Sequence, residues 1–306
     1  MGRFLANRII SMLITLFLVI TITFFLMHAI PGGPFTREKP LPPKVIEALE
    51  AKYKLDQPLW KQYVDYLKGV VTFDLGPSFQ RVGVTVNELI AKGFPVSAKI
   101  GGGSILLVLL VGIPLGVISA LKQNKWQDQV VMVLATLGVT IPSFVMATLI
   151  IYIFSSKLGW LPSHGLTSWK HMIGPMIALG GFSLSFVARL TRSSMLEVLQ
   201  QDYIRTARAK GLSEFVVVGK HALKNALIPV VSYIGPTIAA ILTGSFVVEK
   251  IFAIPGLGKH FVESVGNRDY TVLMGVTIFY AAFLVLMILI VDILYGFIDP
   301  RIKVGD

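Results

Sequence analysis

The chain has 306 residues, 54% of them hydrophobic and only 15% charged, with no cysteine and a formal net charge of +11. Soluble domains carry about a quarter charged residues, so this composition reads as a membrane protein, and the missing cysteine excludes disulfides and thiolate metal sites. The basic residues gather between apolar runs, a pattern that fits anionic lipid and orientation in a membrane and argues against nucleic acid.

Arg3 and Arg8 precede an apolar run from Ile9 to Ile30. The run is longer than a signal-peptide core and no clear small-x-small cleavage site follows, so residues 1–30 are expected to form a cytoplasmic end and a retained first transmembrane helix. Pro31-Gly-Gly-Pro34 then breaks the helix, and Lys, Glu and Asp become frequent. Residues 31–95 read as a small extracytoplasmic helical subdomain. Pro42-Pro43 opens one helical pattern through Val45, Ile46, Leu49 and Tyr53, and Pro58 opens another through Leu59, Trp60, Tyr63, Val64 and Leu67. Trp60, Tyr63 and Leu67 fall on one helical face. With Arg268 of a later loop they are candidate contacts for an extracytoplasmic partner, the alternative being a packing cap over the helix ends.

Five further spans are predicted at 96–121, 130–154, 172–188, 229–248 and 271–298, within a core of 96–298 that is followed by a tail, 299–306. Each is long enough to cross a hydrocarbon layer of about 30 Å. Gly101-Gly-Gly103 and Gly112-Ile-Pro-Leu-Gly116 suit close helix approach, and Pro114 and Pro142 read as kinks. With the N-terminus inside, the inner loops carry Lys122 and Lys125, then the Arg and Lys residues of 189–228, then Arg301 and Lys303. These outnumber Lys157, Lys170, Lys250, Lys259 and Arg268 of the short outer loops, which gives six spans with both ends cytoplasmic.

The loop 189–228 holds the most informative stretch. Asp202 is placed to cap a helix, residues 203–210 favour helix, and Gly211 is placed to end it at C′. Ser213 is placed to cap the next helix, which runs toward Pro229. About two turns of helix cannot stand alone in water, so this piece needs a surface to dock on. We expect that surface on another protein, the alternative being an ordinary basic loop that sets topology. Ala207 offers a small residue for close approach. Arg205, Arg208 and Lys210 supply positive charge suited to an acidic groove, and Thr206 and Leu212 complete the stretch.

No nucleotide-binding G-x-x-x-x-G-K-[ST] occurs, since Gly256-Leu-Gly-Lys259 lacks the spacing, and there is neither H-E-x-x-H nor G-x-S-x-G. His164, His171, His221 and His260 are expected in loops. The chain is therefore not expected to be an enzyme or to carry a cofactor. Few ionisable residues interrupt the spans, which weakens an ion-coupled secondary transporter without removing it, and a membrane scaffold or sensor also stays open. Asp292, inside the last span, is either a functional intramembrane acid or a structural partner of Arg189 or Arg192.

The segment Tyr203-Ile-Arg-Thr-Ala-Arg-Ala-Lys-Gly-Leu212 with His221-Ala-Leu-Lys-Asn-Ala-Leu-Ile-Pro229 resembles the cytoplasmic coupling loop of binding-protein-dependent ABC importer permeases, in the peptide-permease branch. Arg205 stands where that family carries Glu, and Lys224 near its usual Pro. Pro31-Gly-Gly-Pro34, Leu55-Asp-Gln-Pro58, Asp74-Leu-Gly-Pro-Ser78, Thr243-Gly-Ser-Phe-Val-Val-Glu-Lys-Ile-Phe252, Asn267-Arg-Asp-Tyr270 and Ile298-Asp-Pro-Arg301 are similar to its B-type subunit, and Leu41-Pro-Pro-Lys-Val45 looks most like the oligopeptide member. The resemblance implies an all-α integral membrane protein with the six transmembrane helices of the type I ABC importer permease fold. It implies a sister permease subunit, two ATPase subunits docking on residues 202–212, an extracytoplasmic peptide-binding protein and a peptide substrate. It also implies alternating access in a bacterial cytoplasmic membrane. Importers of dipeptides, nickel or another small solute are the neighbouring alternatives.

Overall fold

The computed structural model describes residues 2–35 and 42–298. Leu41, Arg301, Lys303 and the tail 299–306 lie outside the described residues. Helices dominate, and no strand occurs among the described residues beyond one isolated antiparallel bridge between Pro77 and Thr85.

In chain order, α1 is Gly2–Ala29, α2 Pro43–Lys52, α3 Leu59–Val71 and α4 Val86–Leu107. A π-helical turn, Val108–Gly112, joins α4 to α5, Ile113–Leu121. Next come α6, Trp126–Thr140, and α7, Ser143–Ile150, which runs into a π-helical segment, Ile151–Lys157. The long α8 is Lys170–Leu199, and α9 is Asp202–Ala209. Then α10, Glu214–Val216, a third π segment, Val217–Ala222, and α11, Leu223–Ala226, lead to α12, Ile228–Leu242. The chain ends in α13, Phe246–Ile251, α14, Leu257–Gly266, and α15, Tyr270–Ile298.

Four stretches are single helices long and apolar enough to cross a membrane: Ala6–Ala29, Val86–Leu121, Lys170–Leu199 and Tyr270–Ile293. Two bent helix pairs are also long and apolar enough taken together, Trp126–Thr140 with Ser143–Lys157 at 111° and Glu214–Ala226 with Ile228–Leu242 at 53°, which makes six spans when each pair counts as one. Pro142 thus makes far more than a kink. It holds Ile141 extended (φ −79°, ψ 119°), and the helix starts afresh at Ser143. The span expected at 172–188 runs to Leu199, which places Arg189 and Arg192 inside a helix, because the buried stripe of Thr191, Ser194 and Met195 continues past the end of the apolar run. Hydropathy marks residence in lipid, whereas helices end where their caps are. His171, His221 and His260 likewise lie in helical segments, and His164 alone of the four is in a loop.

The chain divides into two compact units, one of residues up to 97 together with those from 255 onward, the other of 98–254. In the first, α1 and α14 pack on α15. Val86, Leu89 and Ile90 of α4 bury against Leu257, Val272 and Val276. Residues 31–95 do not close on themselves. The Ser78 hydroxyl donates to the Asp269 carboxylate, the Phe79 N–H donates to Asp269 Oδ1 at 3.1 Å, and Thr271 Oγ1 donates to the same oxygen at 3.1 Å. Asp269 therefore fastens the 72–85 loop to the head of α15. Beside it Arg81 Nη2 meets Glu263 Oε2 at 2.6 Å, and Arg81 Nη1 donates to His260 Nδ1 at 3.4 Å.

In the second unit α8 is the central post, flanked by α5, α6, α7 and α12. Gly112, closing the π turn, and Gly116 of α5 put one bare edge against it. A Cβ on Gly116 would lie 2.5 Å from the Ala188 carbonyl oxygen and 2.6 Å from Thr191 Cβ, and one on Gly112 would lie 3.0 Å from the Leu184 carbonyl oxygen. Dispersion between close backbones takes the place of the hydrophobic effect in lipid, and a side chain at either site would force the helices apart. Pro114, with no N–H for the preceding turn, follows the widened π turn.

Two predictions follow from these contacts. Gly116→Val should lower stability by about 1–3 kcal/mol through overpacking, while Gly102→Ala, with nothing within 4 Å of the added carbon, should be neutral; thermal unfolding of the purified protein compares them. His260 is held below the ordinary histidine value by burial and by the Arg81 charge, with Lys259 adding to that and Glu263 opposing it. The unfolded chain then binds the proton more readily, so this contribution is intact above about pH 6.5 and is lost as pH falls below it. Unfolding temperatures between pH 7.5 and 5 should therefore decline, and His260→Asn should flatten the decline.

Candidate partner-docking site

Helix α8 ends at Leu199, and Gln201 takes the extended conformation (φ −70°, ψ 148°) from which α9 starts. The Gln201 carbonyl accepts from the Ile204 N–H at 3.0 Å and the Arg205 N–H at 3.3 Å. Asp202, expected as the cap, is instead the first helical residue, because the non-helical cap position is already filled by Gln201. Its carboxylate lies at the positive end of the helix and meets Arg205 Nη1 at 3.4 Å. At the other end Gly211 sits at C′ with φ +78°. The Gly211 N–H donates to the Arg208 carbonyl at 2.9 Å and the Leu212 N–H to the Ala207 carbonyl at 3.4 Å, a paired closure of the last turn that a β-carbon at Gly211 would strain. Ser213 occupies the cap position of α10 with its backbone carbonyl accepting from Val216 and Val217, and its side chain makes no capping bond.

One face of α9 is buried in its own chain. Ile204 and Ala207 pack with Ala120, Met195, Val217, Ala222 and Ala226. Ala207 is therefore small because α5, α8 and the π segment crowd it, and it does not offer a close approach to a partner. A bulky residue there would disrupt this seat first. The opposite face is open: Tyr203, Arg205, Thr206 and every residue from Arg208 to Phe215 are exposed. Phe215 is 88% exposed, an unusual position for a phenyl ring, and Tyr203 and Leu212 also show apolar surface. The sequence analysis did not single out Phe215, since a helical pattern does not show that a ring stays uncovered.

The charge on this face is smaller than the sequence suggests. Arg208 Nε and Nη2 meet the two Glu214 oxygens at 2.7 and 3.3 Å, and Arg205 faces Asp202. Lys210 has no ion-pair partner among the described residues. The face is thus aromatic and mixed in charge, and the expected acidic groove is not what it fits best. Tyr203 Oη accepts from Asn225 Nδ2 at 2.7 Å, which ties α9 to α11.

Beneath the seat lies a buried ion pair that the sequence analysis missed. Arg192 of α8 donates Nε and Nη2 to the two Asp128 oxygens, both at 2.7 Å. The Ser119 hydroxyl donates to Oδ1 and the Asn124 N–H to Oδ2 at 2.9 Å. Asn124 adopts φ +61° in the turn between α5 and α6. The Asp128 carboxylate, 3% exposed, so joins α5, that turn, α6 and α8, and Ala120 beside Ser119 is part of the surface that holds α9. Asp128 escaped notice because the second span was expected to begin at residue 130. An acid just after Lys122 and Lys125, at the edge of an apolar run, was the available signal.

The remaining predicted residues separate. Trp60 is exposed, whereas Tyr63 turns to α1, its hydroxyl 2.7 Å from Thr21 Oγ1 and its ring 5.3 Å from that of Phe24. Leu67 is half-buried, so the three do not share a free face. Arg268 is spent locally, donating to the Pro31 carbonyl at 2.9 Å and the Gly33 carbonyl at 3.4 Å. Asp292 pairs with Arg8 of α1 at 3.1 Å, and neither Arg189 nor Arg192 is its partner; α1 packs along α15, and Arg192 is engaged by Asp128. Among the described residues no group of three His, Cys, Asp or Glu side chains could hold a metal ion.

Comparison with known proteins places this geometry. Residues 112–304 match the family model described as binding-protein-dependent transport system inner membrane component, and residues 1–99 match the model for the N-terminal part of such membrane components. The chain is 50% identical over 303 residues to the dipeptide transport system permease protein DppB of Bacillus subtilis (strain 168), covering 99% of this chain and 98% of that one. It is 48% identical over 305 residues to the oligopeptide transport system permease protein OppB of Salmonella typhimurium, covering 99% and 100%. Among solved structures, the MetNI methionine ABC transporter in an inward-facing conformation aligns with a TM-score of 0.54 at 20% identity, over 72% of this chain and 97% of that one, a likeness of fold.

Removing Arg192 leaves the buried Asp128 carboxylate without its counter-charge, so Arg192→Ala should lower stability by about 3 kcal/mol, and Asp128→Ala by less, since the part-exposed Arg192 guanidinium keeps access to solvent. The double variant should be less harmed than the sum of the two, and thermal unfolding of all four forms measures the coupling.

Proposed function

The chain belongs to the family of binding-protein-dependent transport system inner membrane components, and from that membership we propose that it is a permease subunit of an ATP-driven peptide importer. Relatives named for dipeptide and for oligopeptide transport are almost equally similar to it, so peptide is the substrate class they support, without a length. The chain has no nucleotide-binding motif of its own, and energy on this reading comes from two ATPase subunits. A sister permease completes the path, and an extracytoplasmic peptide-binding protein delivers the substrate. In a bacterial cytoplasmic membrane both termini and α9 face the cytoplasm, as the bias of basic residues supports. Residues 31–95 then lie outside, and of the contact residues expected there Trp60 is the exposed one that meets the binding protein.

The observation that carries this reading is the construction of α9. It is a two-turn helix whose inner face is locked into its own unit through Ile204 and Ala207, while Tyr203, Leu212 and Phe215 stand uncovered. A helix held in this way transmits force. An ATPase gripping the outer face would move α9, and the seat on α8, braced by Asp128 and Arg192, would carry that movement into the spans. Aromatic anchors dominate protein interfaces, and Phe215 takes that role here, with Arg205 and Lys210 at the rim. An ion-coupled carrier has no comparable support, since Asp128 and Asp292 each face an arginine.

The cysteine-free chain allows one experiment to test sidedness and docking together. Ser213→Cys, exposed beside Phe215 and leaving that ring in place, should react with a membrane-impermeant maleimide in inside-out vesicles and not in right-side-out ones. Co-expressed ATPase subunits should slow that reaction at least tenfold and should co-purify with the wild-type chain. Labelling from the outside, or equal rates with and without the ATPases, would overturn the assignment of α9.

A further inference from the structure

Helix α8 is buried where it meets α5, α6, α7 and α12, and one stripe of it is left open. Phe182, Phe186, Arg189 and Ser193 follow one another along that stripe at the spacing of one helical face, and all four are exposed. Phe182 stacks on Phe186 with ring centroids 6.4 Å apart, and the Phe186 ring lies 4.3 Å from that of Tyr233 on α12. Ser232 and Pro236, on either side of Tyr233 in the chain, are exposed too. Arg189 lies about 28 Å along α8 from Lys170, one turn before Arg192. The other arginines whose side chains are described each meet a carboxylate or, for Arg268, backbone carbonyls. Arg189 has no ion pair or hydrogen bond among the described residues.

Lipid tails do not cover such a stripe, because a charged side chain within a span faces protein or a water-filled space. Helix α6 gives the contrast: its exposed Val130, Val133, Leu134 and Leu137 are a surface that hydrocarbon accepts. The α8 stripe is aromatic, hydroxylated and cationic, and no carboxylate occurs in the chain between Phe182 and Ser193. Its unmet charge therefore calls for an anion from outside the chain. A guanidinium binds a carboxylate through paired N–H groups, and a peptide with a free C-terminus brings one. Phe182 and Phe186 offer aromatic surface to an apolar side chain of the same molecule. The stripe also belongs to the helix that leads through Gln200 and Gln201 into α9, so movement of the docking helix reaches it directly. We propose that this face of α8 lines the peptide path and that Arg189 receives the carboxylate of the passing peptide. The choice of ligand rests on the peptide-importer reading, whereas the exposed and unengaged guanidinium does not.

The chain has no cysteine, so Arg189→Cys introduces a single reactive thiol into it. In proteoliposomes carrying the complete transporter, this variant should take up radiolabelled Ala-Phe-Ala about tenfold more slowly under ATP, the loss expected when a charged hydrogen-bond partner is removed. The sister permease and the ATPase subunits should still co-purify with it. Reaction with the cationic aminoethyl methanethiosulfonate should restore uptake, and the anionic sulfonatoethyl reagent should not. Wild-type complex treated in the same way corrects for cysteines of the other subunits. Uptake unchanged in Arg189→Cys, or restoration that does not favour the cationic reagent, would overturn the proposal. Loss of the sister permease from the Arg189→Cys complex would make this face a subunit contact and overturn it as well. Wild-type uptake of Ala-Phe-Ala beside a failed Arg189 test removes this site and leaves the importer reading standing, whereas a wild-type complex that imports no peptide removes the importer reading itself.

Discussion

The carboxylate of Asp128 is the point on which the 98–254 unit depends. A charge at 3% exposure is tolerated only when nearly every lone pair has a donor, and Asp128 has the Arg192 fork, the Ser119 hydroxyl and the Asn124 N–H. Each donor comes from a different piece of chain, so satisfying one buried charge fixes the C-terminal end of α5, the turn after it, the start of α6 and the far end of α8. Ala120, next to Ser119, then has a set position, and with Met195 it forms part of the surface on which Ile204 and Ala207 rest. The orientation of α9 follows from electrostatics several residues away.

Close backbone packing makes that arrangement stiff. Gly112 and Gly116 bring α5 to within van der Waals contact of α8, and Gly101 lies as close to the Ile241 carbonyl of α12. Helices in lipid gain little from excluding water, so contact of this kind is what holds them together. The two bends, at Pro142 and at Pro229, fall where proline removes a backbone donor and redirects the chain. Three π-helical segments adjoin this core, at 108–112, 151–157 and 217–222, and the last of them packs directly on α9. Such widened turns are commonly associated with functional regions, and here one belongs to the seat of the candidate docking helix.

The other unit is organised by a similar device. Asp269 accepts from Ser78, Phe79 and Thr271 and so closes a polar loop onto the first turn of α15. Where that economy of hydrogen bonding holds, the side chains are structural, as with Gln62 and Arg268.

Much of this was legible in the sequence because it depends on local rules. Long apolar runs located the membrane segments, Pro31-Gly-Gly-Pro34 ended the first helix, and Gly211 marked the end of α9 because only a residue tolerant of positive φ suits that place. Absent motifs directed attention away from nucleotide chemistry. What only the tertiary structure decided is which groups meet. Asp128 with Arg192, Asp292 with Arg8, Tyr63 with α1 and Ala207 with α5 are all pairings across long stretches of chain. A helical pattern tells which residues share a face, and it does not tell whether that face meets its own chain or remains open. Ala207 was therefore misjudged, its smallness read as an invitation to a partner when packing assigns it to the interior, and Phe215, which no pattern singled out, is left at the surface.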